Sequence, residues 1–170
     1  MPYFSKVNRF CLFASMGRSG HSIIAHLLSA HPEVMISDEL SAISFFQEGY
    51  TSSQIFALIK YQDFRHQRRN RKKSGYSYWL DNTWQNVYYK YPKVIGDAKG
   101  SRTSNLLAND EKLLEHIRSE LQIPLRIFFH LRNPFDKIST SVRKTNISLD
   151  EAIDNFIEKE RNISTIFSLL

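Results

Sequence analysis

Residues 15–22, SMGRSGHS, carry the side chains whose types and spacing point most directly to chemistry. They lie between an apolar run, FCLFA, and an amphipathic run, SIIAHLL, so they form a turn between a predicted strand and a predicted helix. At such a turn, backbone N–H groups and the positive end of the helix dipole point at one anion. Arg18 adds a planar guanidinium suited to a tetrahedral oxyanion, and Ser19 and Ser22 add hydroxyl donors. The predicted anion loop comprises Gly17, Arg18, Ser19, Gly20, His21 and Ser22.

This loop lacks the lysine of a nucleoside-triphosphate loop. That loop needs the pattern G-x-x-x-x-G-K-[ST], in which the lysine reaches the β- and γ-phosphates and the hydroxyl holds Mg²⁺. When the sequence is aligned on Gly20, Ser15 replaces the first glycine and His21 replaces the lysine. A kinase or an ATPase is therefore disfavoured, and a different anion is expected.

Strands that alternate with helices must position the loop. Short apolar runs predict strands, and a 3.6-residue period or capping signals predict helices. The predicted strands are 9–14, 33–37, 93–98 and 124–131, the third ending in a Gly-Asp turn. The predicted helices are 21–30, 38–46, 54–64, 104–121, one that starts at Pro134, and 149–160, and residues 74–92 are predicted to form an irregular, lid-like segment. This order predicts an α/β fold, a three-layer, P-loop-like parallel sheet flanked by helices, in a single domain over residues 1–170.

The loop and its helix also resemble a known family. GRSGHSIIAHLLSAHPEV resembles the 5′-phosphosulfate loop of sulfotransferases that use 3′-phosphoadenosine 5′-phosphosulfate (PAPS). In that loop a Lys or Arg, then Ser-Gly, then two small hydroxyl residues precede a helix that ends in His-Pro. The resemblance is closest to small bacterial members, and it implies that the anion is the sulfated phosphate of PAPS.

The second half of the family signature is a strand followed by Arg-[Asn/Asp]-Pro and, eight residues after the arginine, a serine. Here RIFFHLRNPFDKISTS supplies Arg132 and Pro134, with Thr140 at the eight-residue spacing. The resemblance implies that Arg132 and Thr140 bind the 3′-phosphate of the donor. Together the two motifs extend the resemblance over residues 9–144.

A third stretch, KVIGDAKGSRTS, is similar to the GDK or EK-[ST] segment of small bacterial and carbohydrate sulfotransferases. In that segment an acid and a lysine face the transferred group. Asp97 and Lys99 match by type, although Ala98 separates them where the family often has no residue between. Residues 37–40, SDEL, resemble the acidic segment that faces the acceptor.

The resemblance implies catalytic roles for five of these residues. Arg18 would stabilise the leaving oxygen, with Lys99 assisting. An acceptor hydroxyl needs a base within hydrogen-bond reach. Asp97, Glu39 and His21 compete for that role, in that order.

Two departures from the family pattern stand out. His21 replaces a hydroxyl residue, which removes one donor and adds a group that titrates near neutrality. The late strand and the Gly- and Lys-containing cofactor loop of the family have no counterpart before Leu170. The chain is therefore interpreted as a short member, a fragment, or a protein that has lost activity.

Composition excludes several classes of protein. The net charge of +6 is local, because six of the nine residues 65–73 are Arg or Lys, and nucleic-acid binders usually spread their cations along a face. This basic run is expected to be solvated and to lie outside the cofactor site, at or near the acceptor entrance. Cys11 is the sole cysteine, and no metal site, nucleic-acid partner or membrane span is expected. A cytoplasmic protein is the resulting expectation.

The leading hypothesis is sulfuryl transfer from PAPS, without a metal, to an acceptor hydroxyl or amine. The alternative from another class is a catalytically silent module that binds a nucleotide bisphosphate or a partner. A degenerate P-loop kinase, which would bind ATP and Mg²⁺, is less favoured. The acceptor and the oligomeric state stay open at this point.

Overall fold

A computed structural model describes residues 2–73, 75–81, 83 and 91–170. The predicted lid-like segment 74–92 lies partly outside the described residues. The strands are β1 (Arg9–Ser15), β2 (Val34–Ser37), β3 (Lys72–Lys73), β4 (Tyr76–Ser77), β5 (Val94–Asp97) and β6 (Leu125–His130). The helices are α1 (His21–Leu28), α2 (Ala42–Gln47), α3 (Ser52–Gln67), α4 (Gly100–Asn109), α5 (Glu111–Leu121), α6 (Pro134–Thr145) and α7 (Leu149–Ser168), and a short 3-10 helix covers Pro2–Phe4.

Four of these strands form one parallel sheet in the order β2-β5-β1-β6. Its central strand β1 pairs with β5 on one side and with β6 on the other, in a register that places Ser15 opposite His130. Because parallel strands end at the same edge, the loops that follow β1, β2, β5 and β6 converge there. The remaining strands, β3 and β4, form a separate antiparallel hairpin.

Helices cover both faces of the parallel sheet, and this confirms the predicted α/β fold class. Along β1, Phe10, Leu12 and Ala14 point into a core that α2, α3, α4, α5 and α7 share. Cys11 and Phe13 point to the opposite face, where they pack against Ala25 of α1. This alternation of buried side chains places β1 at the centre of the molecule, so the loop at its end rests on the most rigid part of the fold.

Three predicted helices have different limits in the structure. Helix α2 begins at Ala42 rather than at residue 38, because the preceding backbone is held by Asp97 as described below. The segment 104–121 is two helices, since Asp110 leaves the helical conformation and caps α5 through the N–H groups of Lys112 and Leu113. The last helix continues to Ser168.

Helix α1 forms where its pattern predicts, but two of its four apolar positions are not buried. Ile23 and Leu27 are 53% and 50% exposed. The buried residues of α1 are instead His21, Ala25 and His26. Polar side chains in the buried face of a short helix that follows an anion loop indicate a site rather than a core.

The predicted Gly-Asp turn after β5 is wrong, because Gly96 and Asp97 belong to the strand itself. Gly96 lies opposite Cys11 of β1, and a Cβ atom placed on it would stand 2.3 Å from the Cys11 carbonyl oxygen. The glycine is therefore required by the close approach of two strands and not by a turn.

Gly96→Ala should lower the free energy of unfolding by about 2 kcal/mol, because the methyl group forces the two central strands apart. Urea denaturation measures this loss. The matched control is Gly17→Ala, since no atom lies within 4 Å of a Cβ at Gly17. Equal stabilities of the two variants would contradict the close-approach explanation.

Candidate functional site

A cleft of about 510 Å³ opens at the edge where the parallel strands end. This volume lies within the range of small-molecule sites, and this edge is the usual place for ligands in open α/β sheets. The cleft brings together residues of the anion loop, the acidic segment and the second motif, namely Arg18, Gly20, His21, Ser22, Glu39, Arg132 and Thr140, whereas Asp97 and Lys99 of the third motif do not line it. It is further lined by Ile23, Lys73, Tyr76, Tyr78, Arg143 and Lys144, whose contribution the sequence patterns did not indicate.

The anion loop is built with its donors facing the cleft. Gly20 caps α1 with a φ of 102° and without a side-chain hydrogen bond, so the first N–H groups of the helix remain available for an anion. Arg18 is exposed and has a φ of 63°, a left-handed conformation that is uncommon for a residue with a Cβ. Such strain at a ligand-facing position is typical of functional loops.

Residues of the loop and of β6 fix its shape. The buried Ser19 hydroxyl donates to the Met16 carbonyl oxygen at 2.8 Å, so it is engaged within the loop rather than turned to the cleft. His130, at the end of β6, donates from Nε2 to the Ser19 carbonyl oxygen at 2.6 Å. His130 is half-buried, and through this hydrogen bond it supports the loop. Gly17 is near the cleft but does not line it.

The second motif lies beside the first, because β6 is the neighbour of β1. Asn133 caps α6 by accepting from the N–H groups of Phe135 and Asp136, and Pro134 occupies the first helical position as predicted. Arg132 precedes this cap, and its guanidinium donates to the Arg18 carbonyl oxygen at 3.2 Å. Thr140 follows on α6 and is half-buried at the cleft.

Two cations of α6 extend the basic side of the cleft. Arg143 and Lys144 stand three and four residues after Thr140, so the three side chains share one helix face. This helical spacing was the signal that could have identified them. Among the described residues that line the cleft, five are Lys or Arg and one is acidic, which is the electrostatic pattern of a site for a multiply charged anion.

The acidic residue is Glu39, which lies opposite the anion loop among basic side chains. Its carboxylate pairs with Lys99, lies 3.1 Å from Lys73 Nζ, and lies 3.8 Å from His21 Nε2. These groups, His21 foremost, hold the pKa of Glu39 well below its usual range although burial opposes them. Glu39 is therefore ionised at neutral pH. Lys99 reaches the site only through this pair, since it does not line the cleft.

His21 occupies the junction between the loop and Glu39. Its ring is buried, with Nδ1 within 3.1 Å of the Ser15 hydroxyl oxygen and Nε2 turned to Glu39. The side chain thus ties the end of β1 to the acidic side of the cleft.

Asp97, placed first among the three candidate bases, does not reach the cleft. It is completely buried, and its carboxylate accepts hydrogen bonds from the Ser37 hydroxyl and from the N–H groups of Leu40 and Ala42. Burial raises the pKa of Asp97 against these hydrogen bonds. The residue holds the loop that carries Glu39, and of the three candidate bases Glu39 and His21 line the cleft.

Asp97→Ala should lower the free energy of unfolding by about 2 kcal/mol, because the N–H groups of Leu40 and Ala42 lose their acceptor inside the protein. Asp97→Asn, which keeps one carbonyl oxygen at the same place, should lose less. Thermal denaturation of both variants measures the difference. A fully stable Asp97→Ala protein would contradict the structural role.

The basic run is only partly solvated, which corrects the expectation for its last residues. Arg71 is buried and donates to Asp63 at 2.9 Å, and Lys73 lies in the cleft. Residues 65–70 include exposed cations that fit the original expectation. The run therefore ends at the cleft, beside Glu39.

Within the described ranges, no group of three or more His, Cys, Asp or Glu side chains could hold a metal ion. None of the helices in the same ranges is long and apolar enough to cross a membrane.

The parallel sheet, its order and the loop at the end of β1 define a sulfotransferase-like α/β fold. Among solved structures, the chain is similar to the sulfotransferase domain from the Synechococcus PCC 7002 olefin synthase, with a TM-score of 0.51 and 15% sequence identity. The alignment covers 97% of this chain and 63% of that one, so this chain spans less than two thirds of its structural neighbour. No family model matches the sequence, and no curated protein matches it. At such a low sequence identity, this structural similarity is evidence for the fold alone.

Proposed function

We propose that this protein transfers a sulfuryl group from PAPS to an acceptor hydroxyl or amine. The observation that carries the proposal is the meeting of Arg18 and Arg132 at the ends of two adjacent strands, with their loops joined by a hydrogen bond. Two arginines at neighbouring positions suit a donor substrate that carries a 5′-phosphosulfate and a separate 3′-phosphate. The sulfotransferase-like fold supports the same interpretation.

The residues of the anion loop would bind the 5′-phosphosulfate. The free N–H groups at the start of α1 and the Ser22 hydroxyl would donate to its oxygens, and the Arg18 guanidinium would face the bridging oxygen. Charge develops on that oxygen as its bond to sulfur breaks, so a cation held there lowers the barrier. Arg132 and Thr140 would hold the 3′-phosphate, together with Arg143, which also lines the cleft.

Glu39 is proposed as the group that accepts the proton of the acceptor. It is the carboxylate that lines the described part of the cleft, and it is ionised at neutral pH. The acceptor oxygen would form a bond to sulfur while the bond to the bridging oxygen breaks, its proton would pass to Glu39, and adenosine 3′,5′-bisphosphate would leave. Glu39 also faces Lys73 and Lys99, which would keep it oriented.

Calorimetry with three nucleotides tests the proposal. Adenosine 3′,5′-bisphosphate should bind more tightly than adenosine 5′-phosphate, and ATP with Mg²⁺ should not bind better than either. Release of the bisphosphate from PAPS, with water as the acceptor, then measures turnover without knowledge of the natural acceptor. Binding without turnover in this assay or with a panel of hydroxyl acceptors would favour the silent module, and preference for ATP with Mg²⁺ would favour a kinase.

A further inference from the structure

Lys73 connects the hairpin formed by β3 and β4 to two neighbouring carboxylates. Its Nζ lies 2.8 Å from Asp38 Oδ2 and 3.1 Å from Glu39 Oε1, and its side chain is 28% exposed. Asp38 is completely buried and also accepts from the Ser22 hydroxyl at 3.3 Å. One ammonium group thus joins the hairpin, the loop after β2 and the first turn of α1.

Two further contacts hold the hairpin against the same region. Arg71, at the base of the hairpin, bonds to Asp63 of α3 at 2.9 Å and lies 3.4 Å from His26 of α1. Tyr78, just after β4, stacks on His26 with ring centroids 4.6 Å apart. The hairpin is therefore docked on both sides of Lys73, which limits the positions its ammonium group can take.

We infer that Lys73 is a positioning residue of the cleft, which holds Glu39 from the hairpin side while Lys99 holds it from the sheet side. The two lysines bind different oxygens of the carboxylate, Oε1 and Oε2. Glu39 has a φ of 64°, so its backbone is strained and its side chain gains from being held at both oxygens. The catalytic consequence of this positioning rests on the proposed function, but the positioning itself does not.

The neighbouring lysine gives a matched control. Lys72 precedes Lys73 in the same strand, and side chains of successive residues point to opposite faces. Lys72 is exposed and does not line the cleft. Lys72→Met and Lys73→Met therefore remove the same charge from the same strand, but only the second removes a contact to Glu39.

The experiment titrates the Glu39 carboxyl by NMR in protein labelled with ¹³C-glutamate, with Glu39→Gln used for assignment. The groups that face this carboxyl are His21 of α1, Lys73 of the hairpin, Lys99 and the adjacent Asp38. A cation at this distance lowers a carboxyl midpoint by about 1 to 3 pH units, so Lys73→Met should raise the Glu39 midpoint by at least about one. Lys72→Met should leave it unchanged, and Lys73→Arg should keep it near that of the parent protein.

PAPS turnover gives the second measurement. Lys73→Met should lower kcat about tenfold, or about 1.4 kcal/mol, with the affinity for adenosine 3′,5′-bisphosphate unchanged. Lys73→Arg should restore most of the rate. If Lys73→Met does not fold, Lys73→Gln replaces it, because the amide still donates to the buried Asp38.

Two results overturn the inference. One is a Glu39 midpoint in Lys73→Met equal to that of the parent, and the other is an equal rise in Lys72→Met. If the midpoint responds to Lys73 alone while the parent protein does not turn over PAPS, the positioning of Glu39 stands and the proposed function fails.

Discussion

Under the proposed function, Arg18→Gly is expected to lower kcat for PAPS by about 10² to 10³, because the guanidinium would face the oxygen on which negative charge develops. Affinity for adenosine 3′,5′-bisphosphate should fall much less, since the N–H groups of α1 remain. Glycine is chosen deliberately. Arg18 has a φ of 63°, which glycine adopts without strain, so the free energy of unfolding should stay within about 1 kcal/mol of that of the parent.

Two comparison variants complete this test. Arg18→Lys keeps the charge but loses the planar guanidinium group. Its kcat should lie between that of the parent protein and that of Arg18→Gly. Arg126→Ala removes an exposed arginine of β6 that does not line the cleft, and it should have no effect. A kcat for Arg18→Gly within threefold of the parent value, a difference of about 0.65 kcal/mol, would rule out the catalytic role.

Arg132→Ala is expected to remove the preference for a 3′-phosphorylated nucleotide. A charge-assisted contact contributes about 1.5 to 3 kcal/mol, so the ratio of affinities for adenosine 3′,5′-bisphosphate and adenosine 5′-phosphate should fall about 10- to 150-fold. Calorimetry with both nucleotides measures this ratio directly.

The hydrogen bond from Arg132 to the Arg18 carbonyl complicates the interpretation, because its loss can also loosen the anion loop. Thr140→Val keeps that hydrogen bond and should change the ratio in the same direction by a smaller amount. In both Arg132→Ala and Thr140→Val, the two nucleotides could lose affinity to the same extent. That result would show that neither residue recognises the 3′-phosphate.

Local patterns were sufficient to predict the elements around the cleft. A capping box of Thr51 and Gln54, readable from the sequence, starts α3, and Asn133 with Pro134 starts α6. Apolar runs predicted the positions of β1, which is a buried central strand of the parallel sheet, and of β6, which is an edge strand of the same sheet. Because these signals depend on neighbours within a few residues, they can be read without the tertiary structure.

The errors concern residues whose role is set by distant partners. Asp97 was interpreted as a turn residue or a base, but it serves the backbone of a loop 55 to 57 residues earlier in the chain. Lys73 was assigned to a solvated run, although its partners Asp38 and Glu39 lie 35 and 34 residues away. The residues next to a charged side chain in the sequence can be the same whether that side chain is solvated or forms a buried ion pair. Only the packing of the folded chain distinguishes these two situations.

The same long-range assembly determines when the anion loop acquires its shape. Its two supports from the end of β6, His130 and Arg132, bond to residues 111 and 114 positions earlier. Contacts of such separation form late in folding, because the long intervening chain has to close first. A nascent polypeptide therefore has no completed anion loop until β6 has docked beside β1. A nucleotide that binds this loop, as the proposed function requires, would stabilise only the finished fold and could not guide earlier folding steps.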